Sequence, residues 1–123
     1  MSYIDGYLLP VPAGKKDAYR ALAEKAAPIF REHGALRVVE CWGDELPRGK
    51  NTDFFMAVKA EDGENVVFSW VEWPSKDARD EGMRRFMADE RLKFMSDMPV
   101  DGKRMVWGGF SLLVDTASSN AAA

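Results

Sequence analysis

Three carboxylates sit among aromatic residues at strand-like spacing. Along Tyr3 to Val11, alternation sets Asp5 between Tyr3 and Tyr7 on one face, with Ile4 and Leu8 on the other. In Leu36 to Gly43, Glu40 shares a face with Trp42. In Val66 to Trp73, Glu72 shares one with Trp70, and in Arg104 to Val114, Trp107 accompanies Met105. A carboxyl group enclosed by rings loses hydration, so its proton affinity rises and it can accept a proton near neutral pH. Asp5, Glu40 and Glu72 are therefore candidate catalytic bases. Tyr3, Tyr7, Trp42, Trp70, Met105 and Trp107 are candidate ligand-binding residues, lining an apolar pocket with a few polar groups. Structural pairing is the competing reading, with Arg37 or Arg104 meeting these carboxylates across strands or across an interface.

His33 is the remaining candidate base, because an imidazole titrates near neutrality. It also ends the apolar stripe of a helix just before Gly34, where it can meet the last carbonyls and the helix dipole. Cys41 would be a nucleophile only with a stabilised thiolate; in mid-strand it packs as a small apolar residue. One His and one Cys cannot build a Cys/His zinc site, and no clustered acidic motif is present, so no metal is expected. No glycine-rich phosphate loop is present either, so no nucleotide cofactor is expected. Gly108-Gly109 lies inside a strand pattern, which indicates a bulge or a close backbone approach.

The elements that must position these residues follow from periodicity. Tyr3 to Val11 is a strand that Pro10 and Pro12 end or push to an edge. Roughly Lys15 to His33 is a helix, in which Tyr19, Leu22, Ala23, Ala26, Ile29, Phe30 and His33 form one apolar stripe. Pro28 should kink it or loosen its last turn, and Gly34 should stop it. Leu36 to Gly43 is the second strand. Thr52 to Ala60 fits a short helix capped by Thr52 or Asp53 better than a strand. Val66 to Trp73 is the third strand, rich in β-formers. Ser75 caps a second main helix reaching about Asp89, Arg91 to Met98 adds a further helical turn, and Arg104 to Val114 is the last strand.

The order is βαβ, an interruption, and βαβ again: an α+β, ferredoxin-like split βαβ pattern. It predicts a four-stranded antiparallel sheet with both main helices on one face. The other face carries large side chains that nothing in the chain covers, and apolar faces of that size find partners. Two such sheets facing each other would make a dimeric α/β-barrel with a cavity between them. At 123 residues the chain suits one domain, placed at 1–115, with 116–123 read as a disordered tail.

A net charge of −3 and the lack of a long basic run argue against nucleic acid as the main partner; the densest basic cluster is Arg84-Arg85 with Arg91 and Lys93 nearby. A single cysteine excludes an internal disulfide. The N-terminus lacks the pattern of a signal peptide, and no apolar run approaches the ~20 residues that span a bilayer. A cytoplasmic location and no membrane partner are expected.

The chain resembles the YbaA-like proteins, a bacterial family with no established reaction. The resemblance rests on Met1-Ser2-Tyr3-Ile4-Asp5-Gly6, on the run from Glu32 to Asp44, on Val66-Val67-Phe68-Ser69-Trp70-Val71-Glu72-Trp73-Pro74-Ser75 and on Asp101-Gly102-Lys103-Arg104-Met105. It implies a dimeric α/β-barrel of ferredoxin-like subunits and supplies no catalytic residues. Pro28 and the apolar Phe54-Phe55-Met56 run depart from the family pattern. Some members are linked by label to signal recognition particle RNA, but no RNA-reading motif occurs here.

The expectation is a homodimer that binds a small apolar or aromatic molecule in a cavity between facing sheets. Two readings of it stand open. One is a cofactor-independent enzyme of monooxygenase or isomerase type, by analogy with other barrels of this fold. The other is a non-catalytic scaffold or ligand sensor, in which the aromatic faces are interface core. Association with RNA is a remote third.

Overall fold

The structure is a computed structural model that describes residues 2–117. Strand β1 (Tyr3–Pro12) leads through a single 3₁₀ turn into helix α1 (Lys16–Glu32), then strand β2 (Arg37–Trp42). A loop containing the short helix α2 (Phe54–Ala57) precedes strand β3 (Glu64–Trp73) and helix α3 (Lys76–Met87). Two 3₁₀ segments, Glu90–Asp97 and Gly102–Arg104, lead to strand β4 (Val106–Ser111). The sheet order is β2-β3-β1-β4, and every neighbouring pair is antiparallel. This is the expected ferredoxin-like α+β arrangement.

Local chemistry sets the boundaries. Asp53 caps α2 by accepting the Met56 N–H at 2.7 Å, and Ser75 Oγ caps α3 by accepting the Ala78 N–H at 3.0 Å. Helix α1 continues through Pro28 to Glu32, and Gly34 takes the left-handed conformation that turns the chain into β2. Pro10 does not end β1, which runs to Pro12. Pairing with β4 stops at Leu8, so both prolines lie where β1 keeps only its ladder with β3.

Register fixes the two faces. Asp5, Leu9 and Val11 of β1 point to the same side as Val67, Ser69, Val71 and Trp73 of β3, and α1 and α3 cover that side. Its core holds the stacked rings of Phe30 and Phe86, 3.6 Å between centroids, with Trp73 edge-on to Phe30 at 6.3 Å. The opposite side presents Ile4, Leu8, Val39, Phe68, Trp70, Val106 and Phe110. Helix α2 packs against β1 and β3 at one end of this side, where Phe54 stands beside Val66 and Phe68, and the main helices lie on the other side. Phe68, Val106 and Phe110 are 49%, 44% and 61% exposed, a broad apolar area open to solvent. The expected disordered tail lies, from residue 118 on, outside the described residues.

Candidate functional site

The three candidate carboxylates do not share one pocket. Two point under the helices and one points to the open face, because β1 and β2 turn Asp5 and Glu40 to the side that β3 gives to Ser69 and Val71, while Glu72 faces the other way. The expectation of a single aromatic cavity holding all three is corrected accordingly. Each alternation along its own strand was right; the common destination was not.

Asp5 is 1% exposed and fully engaged. Its oxygens accept from Trp73 Nε1 at 3.0 Å and from Arg79 Nε and Nη2 at 3.1 and 2.9 Å. The Arg79 guanidinium also lies over the Tyr3 ring at 4.9 Å. Gly109, opposite Asp5 on β4, is what admits this cluster: a Cβ there would collide with the Tyr3 hydroxyl and Arg79 Nη2. This realises the close backbone approach expected at Gly108-Gly109. With no free lone pair aimed at open space, Asp5 acts as the anchor of α3 on the sheet rather than as a base. Tyr7 packs beside it, and burial first, then the Asp5 charge, pushes its phenol up to about 12, so it stays protonated.

Glu72 accepts from Trp70 Nε1 at 2.9 Å on the open face and lies 3.6 Å from Arg37, its cross-strand neighbour. The expected pairing with Arg37 is therefore present. Arg104 instead pairs with Glu64 at 2.6 Å and with Asp101 at 3.0 Å. His33 forms the C-cap of α1, and its Nε2 meets Asp89 Oδ2 at 2.8 Å. The hydrogen bonds of Arg91, then that of His33, hold the Asp89 carboxyl well below the usual carboxylate range. His33 thus ties α1 to the chain following α3 and takes no part in any cavity described below.

Glu40 remains, and it lies in a cavity. Between α1 and the edge strand β2 is a cleft of about 290 Å³, walled by Tyr19, Ala23 and Ala27 on the helix and by Val38, Glu40 and Trp42 on the strand, with Val67 at its floor. The Tyr19 hydroxyl donates to Glu40 Oε1 at 2.7 Å, and Oε2 has no hydrogen bond within the described residues. Burial among these walls raises the Glu40 carboxyl above its ordinary value, an effect that the Tyr19 hydrogen bond partly offsets. Glu40 is itself exposed along the edge of β2, so solvent screens the carboxyl and the upward push is modest. Burial, the Glu40 charge and the shared hydrogen bond drive the Tyr19 phenol far above its ordinary range, so it stays a donor. At the mouth stand Lys16, Arg20 and Glu24, one helical turn apart, with Lys16 Nζ 5.8 Å from the centre of the Trp42 ring.

Of the other expected lining residues, only Trp42 borders this cleft. Tyr3, Tyr7 and Met105 are packed in the helix-side core, Trp70 is on the open face, and Trp107 stands opposite Tyr7 on the edge strand, 61% exposed. A second hollow of about 260 Å³ lies at the α2 end of the open face, bordered by Cys41, Leu46, Phe54, Val66 and Phe68. Sequence reasoning did not single out Tyr19, Lys16 or Arg20. The signal was the helix stripe, which Tyr19 opens; register across the sheet then sets Val38, Glu40 and Trp42 of β2 beneath it. Among the described residues, no group of three or more His, Cys, Asp or Glu side chains is placed to hold a metal ion, and no helix is long and apolar enough to cross a membrane.

Comparison with known proteins agrees with this fold. YbaA of Escherichia coli strain K12, an uncharacterized protein, is 59% identical over 116 residues, spanning 94% of this chain and 99% of YbaA, and the Shigella flexneri protein of that name matches equally. Among solved structures, a NIPSNAP domain protein from Burkholderia xenovorans superposes with a TM-score of 0.61 at 16% identity, covering 91% of this chain and 95% of its own. A variant of SnoaB, a cofactor-independent oxygenase from Streptomyces nogalater, gives 0.57 at 16% identity over 94% and 96%. At such identity these two likenesses establish the fold alone. The sequence pattern of the family described as proteins of unknown function, DUF1428, matches residues 2–102, and with the YbaA identity this places the chain in that family: it belongs to DUF1428.

Proposed function

We propose that this protein binds a small, mostly apolar organic molecule in the cleft between α1 and β2, and that Glu40 removes a proton from it. The observation that carries the proposal is the Tyr19–Glu40 pair, in which one carboxylate oxygen is held at 2.7 Å and the other is left for a ligand among apolar walls. A carboxylate whose proton affinity is raised above its ordinary value is the stronger base while it stays ionised. Trp42, Val38 and Ala27 would orient a one- or two-ring body against it. SnoaB, a cofactor-independent oxygenase, has the same fold, which makes chemistry without a cofactor a consistent reading by analogy.

The open sheet face completes the reading. Phe68, Val106 and Phe110 would be covered by a second copy, giving the homodimeric barrel. The exposed lone thiol of Cys41 on an edge strand fits a reducing cytoplasm.

The test uses 2-indanone, a weak carbon acid, in deuterated water. Glu40 would take an α-proton to leave the enolate, and return of deuterium would exchange the carbon. The wild type should accelerate exchange over buffer, and Glu40→Gln should return it to the buffer rate. Exchange that survives Glu40→Gln, or no acceleration by the wild type, would remove Glu40 as base. A non-catalytic ligand sensor is the reading that remains if the cleft binds 2-indanone without exchanging it.

A further inference from the structure

We propose that the natural ligand of the α1–β2 cleft carries a carboxylate on its apolar body, and that Lys16 and Arg20 receive that carboxylate at the cleft mouth. The inference rests on the reading of this cleft as a ligand site and adds the chemical class of what enters it. Lys16, Arg20 and Glu24 follow one another along one strip of α1, above the Tyr19, Ala23 and Ala27 wall. Neither Lys16 nor Arg20 has a carboxylate within 4 Å among the described residues. Each is therefore available at the opening of an otherwise apolar cavity.

The layout has a direction. Lys16 lies over Trp42 at one end of the cleft, and Glu24 lies two helical turns further along α1. A ring seated on Trp42 would place a substituent between Lys16 and Arg20, away from Glu24. The guanidinium of Arg20 matches a carboxylate with two parallel N–H donors, and Lys16 adds a compact point charge. At the mouth itself Lys16, Arg20 and Glu24 leave one positive charge in excess, which favours an anionic group there. Glu40 meets the ligand from β2, across the cleft from α1, so the anionic group and the proton-transfer position are separated by the apolar body.

The experiment compares 2-naphthoate with its neutral isostere 2-naphthamide by calorimetry at low salt. Naphthoate should bind the wild type about 3- to 10-fold more tightly, the gain expected of two partly exposed charge contacts. In a Lys16→Gln/Arg20→Gln variant the two compounds should bind equally, and adding salt should narrow the wild-type ratio in the same direction. A wild-type ratio at or below one, or a ratio that the double variant leaves unchanged, would overturn the inference. A third variant keeps the two readings apart. Ala27→Trp fills the cleft and should abolish binding of both compounds. If the amide binds the wild type and is lost in Ala27→Trp while the ratio ignores the charges, only the carboxylate inference falls. If the amide binds Ala27→Trp as well as the wild type, the cleft is not the ligand site and both readings fall.

Discussion

Tyr19 and Glu40, 21 positions apart in the chain, meet at 2.7 Å across the gap between a helix and an edge strand. The phenol comes from the first turn of α1 that faces the sheet, and the carboxylate from the middle of β2. Each fixes the other: the hydroxyl orients one carboxylate oxygen, and the carboxylate keeps the phenol protonated. Removing the hydroxyl should therefore change Glu40 in a definite direction. In Tyr19→Phe, Glu40 loses a partner that favours its charged form while its burial persists, so its pKa should rise further. Carbon NMR titration of the Glu40 carboxyl should report that rise. The lost hydrogen bond should cost about 1–2 kcal/mol of stability. A Glu40 titration that moves down would contradict this account of the pair.

Glu40 should also weigh against the fold at neutral pH. Its folded pKa lies above its unfolded one, so its proton contributes stability that is fully present below the unfolded value and is lost as pH rises through the folded value. Glu40→Gln keeps an acceptor for Tyr19 and has no proton to lose. The variant should match the wild type near pH 4 and exceed it near pH 8, by less than about 1 kcal/mol because solvent screens the carboxylate. Urea unfolding at the two pH values measures the difference. A wild type more stable than the variant at pH 8 would show that the carboxylate is held by favourable partners not accounted for above.

Asp5 holds the fold together through its buried partners. It is buried with Trp73 and Arg79 as donors, and loss of the carboxylate would strand both of them. Asp5→Ala should destabilise the protein by about 3–5 kcal/mol, the cost of breaking a buried ion pair from one side. Asp5→Asn should be milder, since the amide oxygen still accepts one donor. Naphthamide affinity measured on folded Asp5→Asn should equal that of the wild type. A drop in affinity without unfolding would bring Asp5 into the site.

The fold was legible because each element announced itself locally. The α1 stripe, the β-rich run through Val66 to Trp73, and the caps Asp53 and Ser75 all stand where the sequence placed them. What it did not convey was which side of the sheet each strand face meets. In β2 both faces mix apolar and polar residues: Val38, Glu40 and Trp42 against Arg37, Val39 and Cys41. In β3 both faces are apolar, since Phe68 and Trp70 look as core-like as Val67 and Val71. Alternation fixes relative phase only. The absolute assignment came from register across strands, which sends Asp5 and Glu40 beneath the helices and Glu72 to the open face. Arg79 was invisible for a related reason: its partner Asp5 lies 74 positions away, and no local spacing marks such a pair.

The open face gives the last prediction. Phe110 closes over Gly6 and Gly108, its ring 3.5 Å from where a Cβ on Gly6 would stand, yet remains 61% exposed. Together with Val106 and Phe68 it forms apolar surface that α2 covers only at the far end, so a second copy should bury it. Sedimentation at micromolar concentration should find a dimer in the wild type. Phe110→Glu places a charge on that apolar surface, where a second copy would desolvate it without a partner, and should shift the protein to monomer. Because Phe110 points away from the helix-side core, the monomeric variant should keep its fold and its α1–β2 cleft, and naphthamide should still bind. A wild type that sediments as monomer would mean that the greasy face is tolerated in water. A dimer that survives Phe110→Glu would move the contact elsewhere, and the edge strands β2 and β4 would then be the surfaces to examine.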